Sequence, residues 1–192
     1  MAPIALNIDA QLRDGARRYE ALAEDFVTAW ESGDPPALRM PALQALGISC
    51  KNVDDQSLAL LPRFPALRDL TSIGIADPGF RHIGRCANLE KLSCMYCRDT
   101  TDVATAYIEG LSHIKSYYAG LTQITDRSLK ILGRMNSLEQ VELYECSGVT
   151  DAGLGFLARL PNLRQVEISG SPNITLRGTA IFPTTIRVKY SV

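Results

Sequence analysis

The chain has 192 residues, of which 46% are hydrophobic and 21% are charged, and its formal net charge at pH 7 is −1. This composition is ordinary for a water-soluble domain with a sizeable apolar core. The nearly neutral charge predicts no general attraction to nucleic acid or to an anionic membrane surface. No apolar run reaches the roughly 18 residues that a membrane-spanning helix needs.

The two features that report on cellular location are the N-terminus and the cysteines. Residues 1–9 lack the basic start and the apolar centre of a secretory signal. The chain has five cysteines, an odd number with no paired framework. We therefore expect reduced thiols and a cytoplasmic protein.

Residues 10–32 differ from the rest of the chain, because apolar side chains recur there at steps of three and four with charges mostly between them. This pattern predicts an amphipathic helix. The Gly and Pro residues within 32–36 would end it. We predict an N-terminal segment, residues 1–40, formed by this helix and a Pro-rich linker. Two interpretations stay open for the helix: a cap on the first unit of the following domain, or a docking element for another protein.

Five aspartates recur at intervals of 22 to 25 residues, and mostly apolar side chains stand three, six, nine and twelve positions after each. A fixed period of this length is the signature of a solenoid, whose units bury their apolar faces only against their neighbours. The aspartates are Asp55, Asp77, Asp102, Asp126 and Asp151, and the positions twelve residues on are Leu67, Leu89, Ile114, Leu138 and Leu163. The units are 43–66, 67–88, 89–113, 114–137 and 138–162, with a partial sixth from 163, within a domain of residues 41–192 that holds five to six repeats.

Each unit begins as a short strand and continues as a short helix. In the fifth unit Leu138, Val141 and Leu143 stand at the first, fourth and sixth positions, which places them on the inward side of a strand. The Thr-Asp pair that follows predicts a helix N-cap, and we interpret the repeated aspartates as caps. The sequence therefore predicts an α/β solenoid with a parallel concave sheet and convex helices. Residues 186–190 alternate as a C-terminal edge strand should.

Some units depart from this pattern. The second unit is short, and its sequence leaves the strand register open. The third has Thr100 and Thr105 where apolar residues are expected, so we expect its helix to be displaced. The fourth places Tyr117 and Ala119 at inward positions, a large residue beside a small one. The sixth has Leu176 in place of the aspartate.

The units resemble leucine-rich repeats, whose core motif is Leu-x-x-Leu-x-Leu-x-x-Asn/Cys-x-Leu. The third unit carries Leu89, Leu92, Cys94 and Cys97 at the matching positions, and the resemblance covers residues 43–190. A cysteine at the ninth position, with Val/Ile-Thr-Asp before the helix, is similar to the cysteine-containing subtype. That subtype is familiar from F-box leucine-rich proteins and is related to ribonuclease-inhibitor-like solenoids. The resemblance implies a protein-binding solenoid.

Few side chains suggest catalysis or metal binding. Cys94 and Cys97 are spaced as in metal and redox sites, but a structural zinc needs four ligands and no second close pair follows. Cys146 stands in the place of Cys97 two repeats on, about 10 Å away at the spacing of parallel strands. His82 and His113 share no evident site with a nucleophile. We therefore predict no metal, no cofactor and no catalytic residue, and interpret the cysteines as small buried apolar side chains.

The third, fifth and seventh positions of each repeat face the concave side, where curved solenoids bind their partners. Exposed tyrosines and methionine are enriched at protein interfaces, and carboxylates beside them favour a partner with basic groups. We predict that a protein partner binds this face, with no role for nucleic acid, membrane or metal. The predicted partner-binding residues are Lys91, Met95, Tyr96, Tyr118, Gln140, Glu142, Tyr144 and Glu167.

Three functions follow from these observations. The first is a non-catalytic protein–protein interaction module, whose rigid concave surface lowers the ordering cost of binding. The second is implied by the resemblance alone: a substrate-recognition subunit of a ubiquitin-ligase complex of the F-box type. The third is an enzyme with an unrecognised site, which would need a convergent cluster of titratable groups.

Overall fold

The computed structural model describes residues 43–49 and 58–192. Within this part of the chain, seven strands form one parallel sheet in which each strand pairs with the next along the sequence. The strands are β1 (Ala45–Ser49), β2 (Asp69–Ile73), β3 (Lys91–Met95), β4 (Ser116–Gly120), β5 (Gln140–Tyr144), β6 (Gln165–Ser169) and β7 (Arg187–Ser191). The predicted parallel α/β solenoid is confirmed.

A helical segment follows each of β1 to β6. After β1 the described residues include a 3-10 turn, Leu61–Arg63, and the segments after β2 to β6 are α-helices. The α-helices are α1 (Asp77–Ile83), α2 (Asp102–Ile108), α3 (Asp126–Leu132), α4 (Asp151–Leu157) and α5 (Leu176–Thr179). The last helix is the shortest of the five, and it begins where Leu176 replaces the repeated aspartate.

One continuous apolar core lies between the sheet and the helices. In β5, Val141 and Leu143 point into it and are at most 1% exposed. The residues three, six, nine and twelve positions after each aspartate are all 6% exposed or less, from Leu58 to Leu163. The repeat period therefore identified the core residues correctly.

The strands pair without a register slip. Leu70 of β2 pairs with Leu92 of β3, Leu92 with Tyr117 of β4, and Tyr117 with Val141 of β5, so inward side chains form continuous rows. This settles the strand of the second unit, in which Leu70 and Ser72 are the inward residues. Tyr117 is 1% exposed, as expected of an inward residue.

The third unit was expected to have a displaced helix. Helix α2 begins at the equivalent position of its repeat and has the same length as α1 and α3, so the threonines do not shorten it. Its displacement stays a prediction. The two buried threonines of the third unit both have hydrogen-bond partners. Thr100 Oγ1 donates to the Ile75 carbonyl at 2.8 Å, and Thr105 Oγ1 lies 2.9 Å from Ser128 Oγ. Buried hydroxyls that find partners cost little, so the apolar pattern can be broken there without loss of the helix.

Threonine caps α2, α3, α4 and α5, as predicted. Its side-chain oxygen accepts a hydrogen bond from a backbone N–H in the first turn, which would otherwise lack a partner. The pairs are Thr101 with Val103, Thr125 with Arg127, Thr150 with Ala152 and Thr175 with Gly178.

For the four repeated aspartates that the structure describes, the interpretation as caps of their own helices is wrong. Each of these four carboxylates instead accepts two hydrogen bonds from the capping threonine of the next repeat, one from its backbone N–H and one from its hydroxyl. For Asp126 and Thr150 these distances are 2.8 and 2.7 Å. The same contact joins Asp77 to Thr101, Asp102 to Thr125 and Asp151 to Thr175. We call these four pairs the aspartate ladder.

Each ladder aspartate also lies close to the helix of the next repeat. The position concerned is two residues after that helix's own aspartate. At Gly153 an added Cβ would lie 2.3 Å from Asp126 Oδ1, so glycine makes room for the carboxylate. Ser128 occupies the equivalent place in the preceding helix and donates to Asp102 from its backbone N–H at 3.1 Å and from its hydroxyl at 2.5 Å. Asp102 therefore accepts four hydrogen bonds across one repeat junction.

Several predicted features lie outside the described residues. They are the helix over residues 10–32 with both interpretations of its role, the boundary between residues 40 and 41, and Asp55. These stay predictions.

At the C-terminal end of the described sheet, β7 is the edge strand, with Arg187 and Lys189 exposed on it.

The ladder should be measurable as stability. Replacing the Asp102 carboxylate by an amide (Asp102→Asn) puts an NH2 group among four donors, so we expect unfolding in urea to become easier by about 2 kcal/mol. The exposed neighbour Asp99 provides a control, because Asp99→Asn should change stability by less than about 0.5 kcal/mol. Equal effects of the two substitutions would contradict the ladder.

The contribution of Asp102 should also depend on pH. Burial raises the pKa of its carboxyl, but hydrogen bonds from Ser128 and Thr125 outweigh burial and hold the pKa below its ordinary value of 3.8. A depressed pKa stabilises the folded state fully above the ordinary value, and this stabilisation is lost as pH falls through the folded pKa. The stability gap between the wild type and Asp102→Asn should therefore be constant near neutral pH and shrink below pH 3.8. A gap that persists unchanged in acid would contradict this assignment.

Candidate interaction surface

The concave face of the sheet displays the alternate side chains of every strand, and none of the eight predicted partner-binding residues is buried. Lys91, Tyr96 and Tyr144 are exposed, whereas Met95, Tyr118, Gln140, Glu142 and Glu167 are partly exposed. The side chain of Tyr118 is less exposed than its position in the repeat predicted. The structure therefore places all eight on one side of the sheet or at its edge.

Charges at the two ends of this set are neutralised by neighbouring strands. Lys91 Nζ lies 3.3 Å from Asp69 Oδ2, and Lys189 Nζ lies 2.8 Å from Glu167 Oε2. Neither ion pair was predicted from the sequence, because the register of β2 was open and β7 was considered only as an edge strand. Lys91 and Glu167 are thus less available for a partner than their positions suggest.

Tyrosine side chains occupy the middle of the face. The ring of Tyr118 leans along β4 and covers Gly120, where an added Cβ would lie 2.8 Å from Tyr118 Cε1. Gly120 pairs with Tyr144 on β5, so the Tyr118 ring lies beside Tyr144. Any larger residue at position 120 would displace the ring, and this contact could not be predicted from the repeat pattern.

Two carboxylates accompany these tyrosines. Burial and the charge of Glu142 on the neighbouring strand raise the pKa of Tyr118. A hydrogen bond with Glu145 raises the pKa of Tyr144. Both phenols therefore stay protonated at neutral pH. We call Tyr96, Tyr118, Tyr144, Glu142 and Glu145 the Tyr–Glu cluster.

The residue after each of β2 to β6 adopts a left-handed conformation. Glycine holds this position after β2 and β6, but Tyr96 (φ 53°), Leu121 (φ 55°) and Glu145 (φ 49°) hold it after β3, β4 and β5. A left-handed conformation costs a residue with a side chain roughly 1–2 kcal/mol. Strain of this kind is often kept where a side chain serves binding. Leu121 was not predicted as a site residue, although Gly74 and Gly170 stand at the equivalent position of their repeats.

The surroundings of the cysteines indicate a structural role. Cys97 and Cys146 are fully buried and their thiols donate to backbone carbonyls, those of Met95 and Ala119 at 3.2 and 3.4 Å. A hydrogen bond from Cys94 lowers the pKa of Cys97 to about 7, yet burial keeps the thiol from reagents. Among the described residues, Cys86, Cys94, Cys97 and Cys146 form no disulfide.

Within residues 43–49 and 58–192, no three His, Cys, Asp or Glu side chains converge in a way that could hold a metal ion. In the same part of the chain, no helix combines the length and apolar character required to cross a membrane.

Comparison with solved structures identifies the architecture. A chain of the yeast Rad7–Elc1 complex superposes with a TM-score of 0.61 at 17% identity, over 72% of this chain and 38% of that one. An internalin (inlF) from Listeria monocytogenes gives 0.56 at 17% identity, over 88% and 49%. A second internalin (inlC2) of that organism gives 0.52 at 17%, over 82% and 64%. These are leucine-rich repeat proteins. The chain has the leucine-rich repeat fold.

The comparisons establish the fold and no more. No family model matches the sequence, and no curated protein matches it either. At 17% identity the similarity to these leucine-rich repeat proteins is one of architecture. The chain also spans less than two thirds of the length of each of these three structures.

The two neighbouring tyrosines of β4 and the one on β5 test the register of the leucine-rich repeats. We expect Tyr117→Ala to cost about 3–5 kcal/mol in urea unfolding, because the side chain is fully buried. Tyr144→Ala should cost less than about 0.5 kcal/mol, because 38% of the residue is exposed. Tyr118→Ala should fall between them. A reversal of the order for Tyr117 and Tyr144 would mean that the faces of the sheet are assigned the wrong way round.

Proposed function

We propose that this leucine-rich repeat protein is a non-catalytic protein–protein interaction module whose concave sheet binds a protein partner. The observation that carries the proposal is the Tyr–Glu cluster in the middle of that face. Tyrosines that keep substantial exposure there, 58% for Tyr96 and 38% for Tyr144, have the composition of interface hot spots. Tyr144 ends strand β5 and Tyr96 directly follows strand β3, which supports a recognition surface formed before binding.

The mechanism would be rigid display. Parallel strands fix the spacing of successive concave side chains at about 4.8 Å, and the aspartate ladder ties each repeat to the next on the helical side. A surface that is already ordered loses little conformational entropy when a partner binds. Carboxylates on this face support a partner with basic groups, since complementary charge steers association and fixes orientation.

Support for a non-catalytic role comes from the charged groups of the concave face. A hollow of about 360 Å³ lies between β3 and β5, and Lys91 and Glu142 are the charged residues that line it. Lys91 is engaged by Asp69, and Glu142 accepts a hydrogen bond of 2.5 Å from Gln140 Nε2. Such groups suit binding better than proton transfer, which needs a titratable group poised beside its substrate.

A second candidate is a substrate-recognition subunit of a ubiquitin-ligase complex. It rests on the resemblance of the repeats to F-box leucine-rich proteins. The similarity to a chain of the yeast Rad7–Elc1 complex, a two-protein assembly, supports a role within a larger complex. The assignment to the cysteine-containing, ribonuclease-inhibitor-like subtype belongs with this proposal. The buried free thiols of Cys97 and Cys146 are compatible with it and with a cytoplasmic location.

An affinity experiment tests the concave site. Tagged wild type and a Tyr118→Ala/Tyr144→Ala variant are used to capture proteins from the source organism, and the bound proteins are identified by mass spectrometry. Tyr107→Ala is the matched control, since this tyrosine is 45% exposed but lies on helix α2. We expect a partner that the wild type and the control retain and the double variant loses. Removing these two aromatic side chains, one partly exposed and one exposed, should weaken its binding by about 2 kcal/mol or more.

Two other results of this experiment would redirect the proposal. A partner held equally by all three proteins would place the binding site on the helices or the N-terminal segment. A captured partner that includes ligase subunits would favour the second candidate. High salt should weaken capture if the partner is basic, because exposed charges are screened.

A further inference from the structure

The glutamates of the Tyr–Glu cluster differ from the other glutamates of the described chain. Outside the cluster each is paired with a basic side chain: Glu90 with Lys115, Glu109 with Arg134, Glu139 with Arg164 and Glu167 with Lys189, at 2.6, 2.6, 3.6 and 2.8 Å. Among residues 43–49 and 58–192, Glu142 and Glu145 take part in no ion pair. Among the glutamates of this part of the molecule, those that lie beside the tyrosines are therefore the two without a counter-charge.

Tyrosines lie beside these carboxylates. Glu142 pairs in register with Tyr118, and Glu145 directly follows Tyr144, the last residue of β5. Tyr96 ends the row two strands away and is the most exposed of the three tyrosines. Aromatic faces carry negative electrostatic potential, so rings and carboxylates attract the same kind of ligand, a cation.

We propose that the Tyr–Glu cluster binds an arginine side chain of the protein partner, a refinement that rests on the proposed interaction function. A planar guanidinium can stack on a tyrosine ring and at the same time donate a fork of hydrogen bonds to a carboxylate. Glu142 and Glu145 supply the acceptors, and Tyr118 and Tyr144 supply the rings. Lysine fits less well, because its ammonium is a compact, strongly hydrated charge that cannot stack.

The surroundings are suited to an arginine within a peptide segment. The hollow beside the cluster is lined by hydroxyl and amide groups of Ser93, Ser116 and Gln140, which can bond to peptide groups next to the arginine. Glu142 and Tyr118 belong both to the hollow and to the cluster, so the two form one continuous surface.

The test uses the whole protein, labelled with 15N, and three small probes: Nα-acetyl-arginine amide, its uncharged isostere Nα-acetyl-citrulline amide, and Nα-acetyl-lysine amide. We expect arginine to shift the backbone amide signals of residues 118–121 and 142–146 in a saturable manner. Citrulline should bind roughly tenfold more weakly and lysine several-fold more weakly, because they lose the charge or the stacking plane. Equal binding of arginine and citrulline, or shifts at other residues, would overturn the inference.

Matched carboxylate variants separate the cluster from general negative charge. Glu142→Gln/Glu145→Gln should weaken arginine binding roughly tenfold, whereas Glu139→Gln/Glu167→Gln, which removes two carboxylates that are already paired, should leave it within about twofold. Equal losses in both variants would overturn the inference. All four positions are partly or fully exposed, so the variants should fold.

This experiment and the capture experiment fail in different ways. If the partner depends on Tyr118 and Tyr144 but arginine does not bind the cluster, the interaction module stands and the arginine site is wrong. If arginine binds the cluster but no partner depends on the two tyrosines, the proposed function of the concave face is wrong. The inference then loses the protein partner on which it rests.

Discussion

The interaction on which the rest of this structure depends is the hydrogen bonding of an aspartate in one repeat to the threonine that caps the helix of the next. A leucine-rich repeat cannot bury its apolar face alone, so contacts between neighbours have to hold the array together. Apolar packing does this without directional preference. The bonds from Asp126 to Thr150, at 2.8 and 2.7 Å, add direction. One threonine thus caps its own helix and also donates hydrogen bonds to the aspartate of the preceding repeat.

The concave surface follows from this arrangement. Strand pairing sets the spacing along the sheet, while the ladder fixes the helices behind it, so concave side chains are held by both layers. Polar replacements within the core, such as Thr105 with Ser128, are tolerated because each hydroxyl finds a partner in the neighbouring repeat. The left-handed residues Tyr96, Leu121 and Glu145 then project from the ends of a rigid sheet. A surface of this kind favours recognition by position and charge over recognition by rearrangement.

The repeat period predicted most of the fold, because every position it marks as apolar needs the same burial in each unit. It also placed Tyr118 and Tyr144 on the concave side through simple alternation. The partner of each aspartate could not be predicted from the sequence. An aspartate that caps its own helix and an aspartate that bonds to the next repeat both appear as the same Thr-Asp pair. The cover of Gly120 by the Tyr118 ring depends on a side-chain direction that spacing does not report. The ion pairs of Lys91 and Glu167 depend on strand register, which the short second unit left open.

The most direct test of the ladder is native-state hydrogen exchange at the backbone amides of Thr101, Thr125 and Thr150, which donate to the aspartates of the preceding repeats at 2.7, 2.9 and 2.8 Å. If the ladder binds the repeats into one cooperative unit, these amides should exchange only through global unfolding, with the same protection as strand amides such as that of Val141. Exchange of the threonine amides orders of magnitude faster than that of the strand amides would show that the repeat junctions open locally, and would contradict the account.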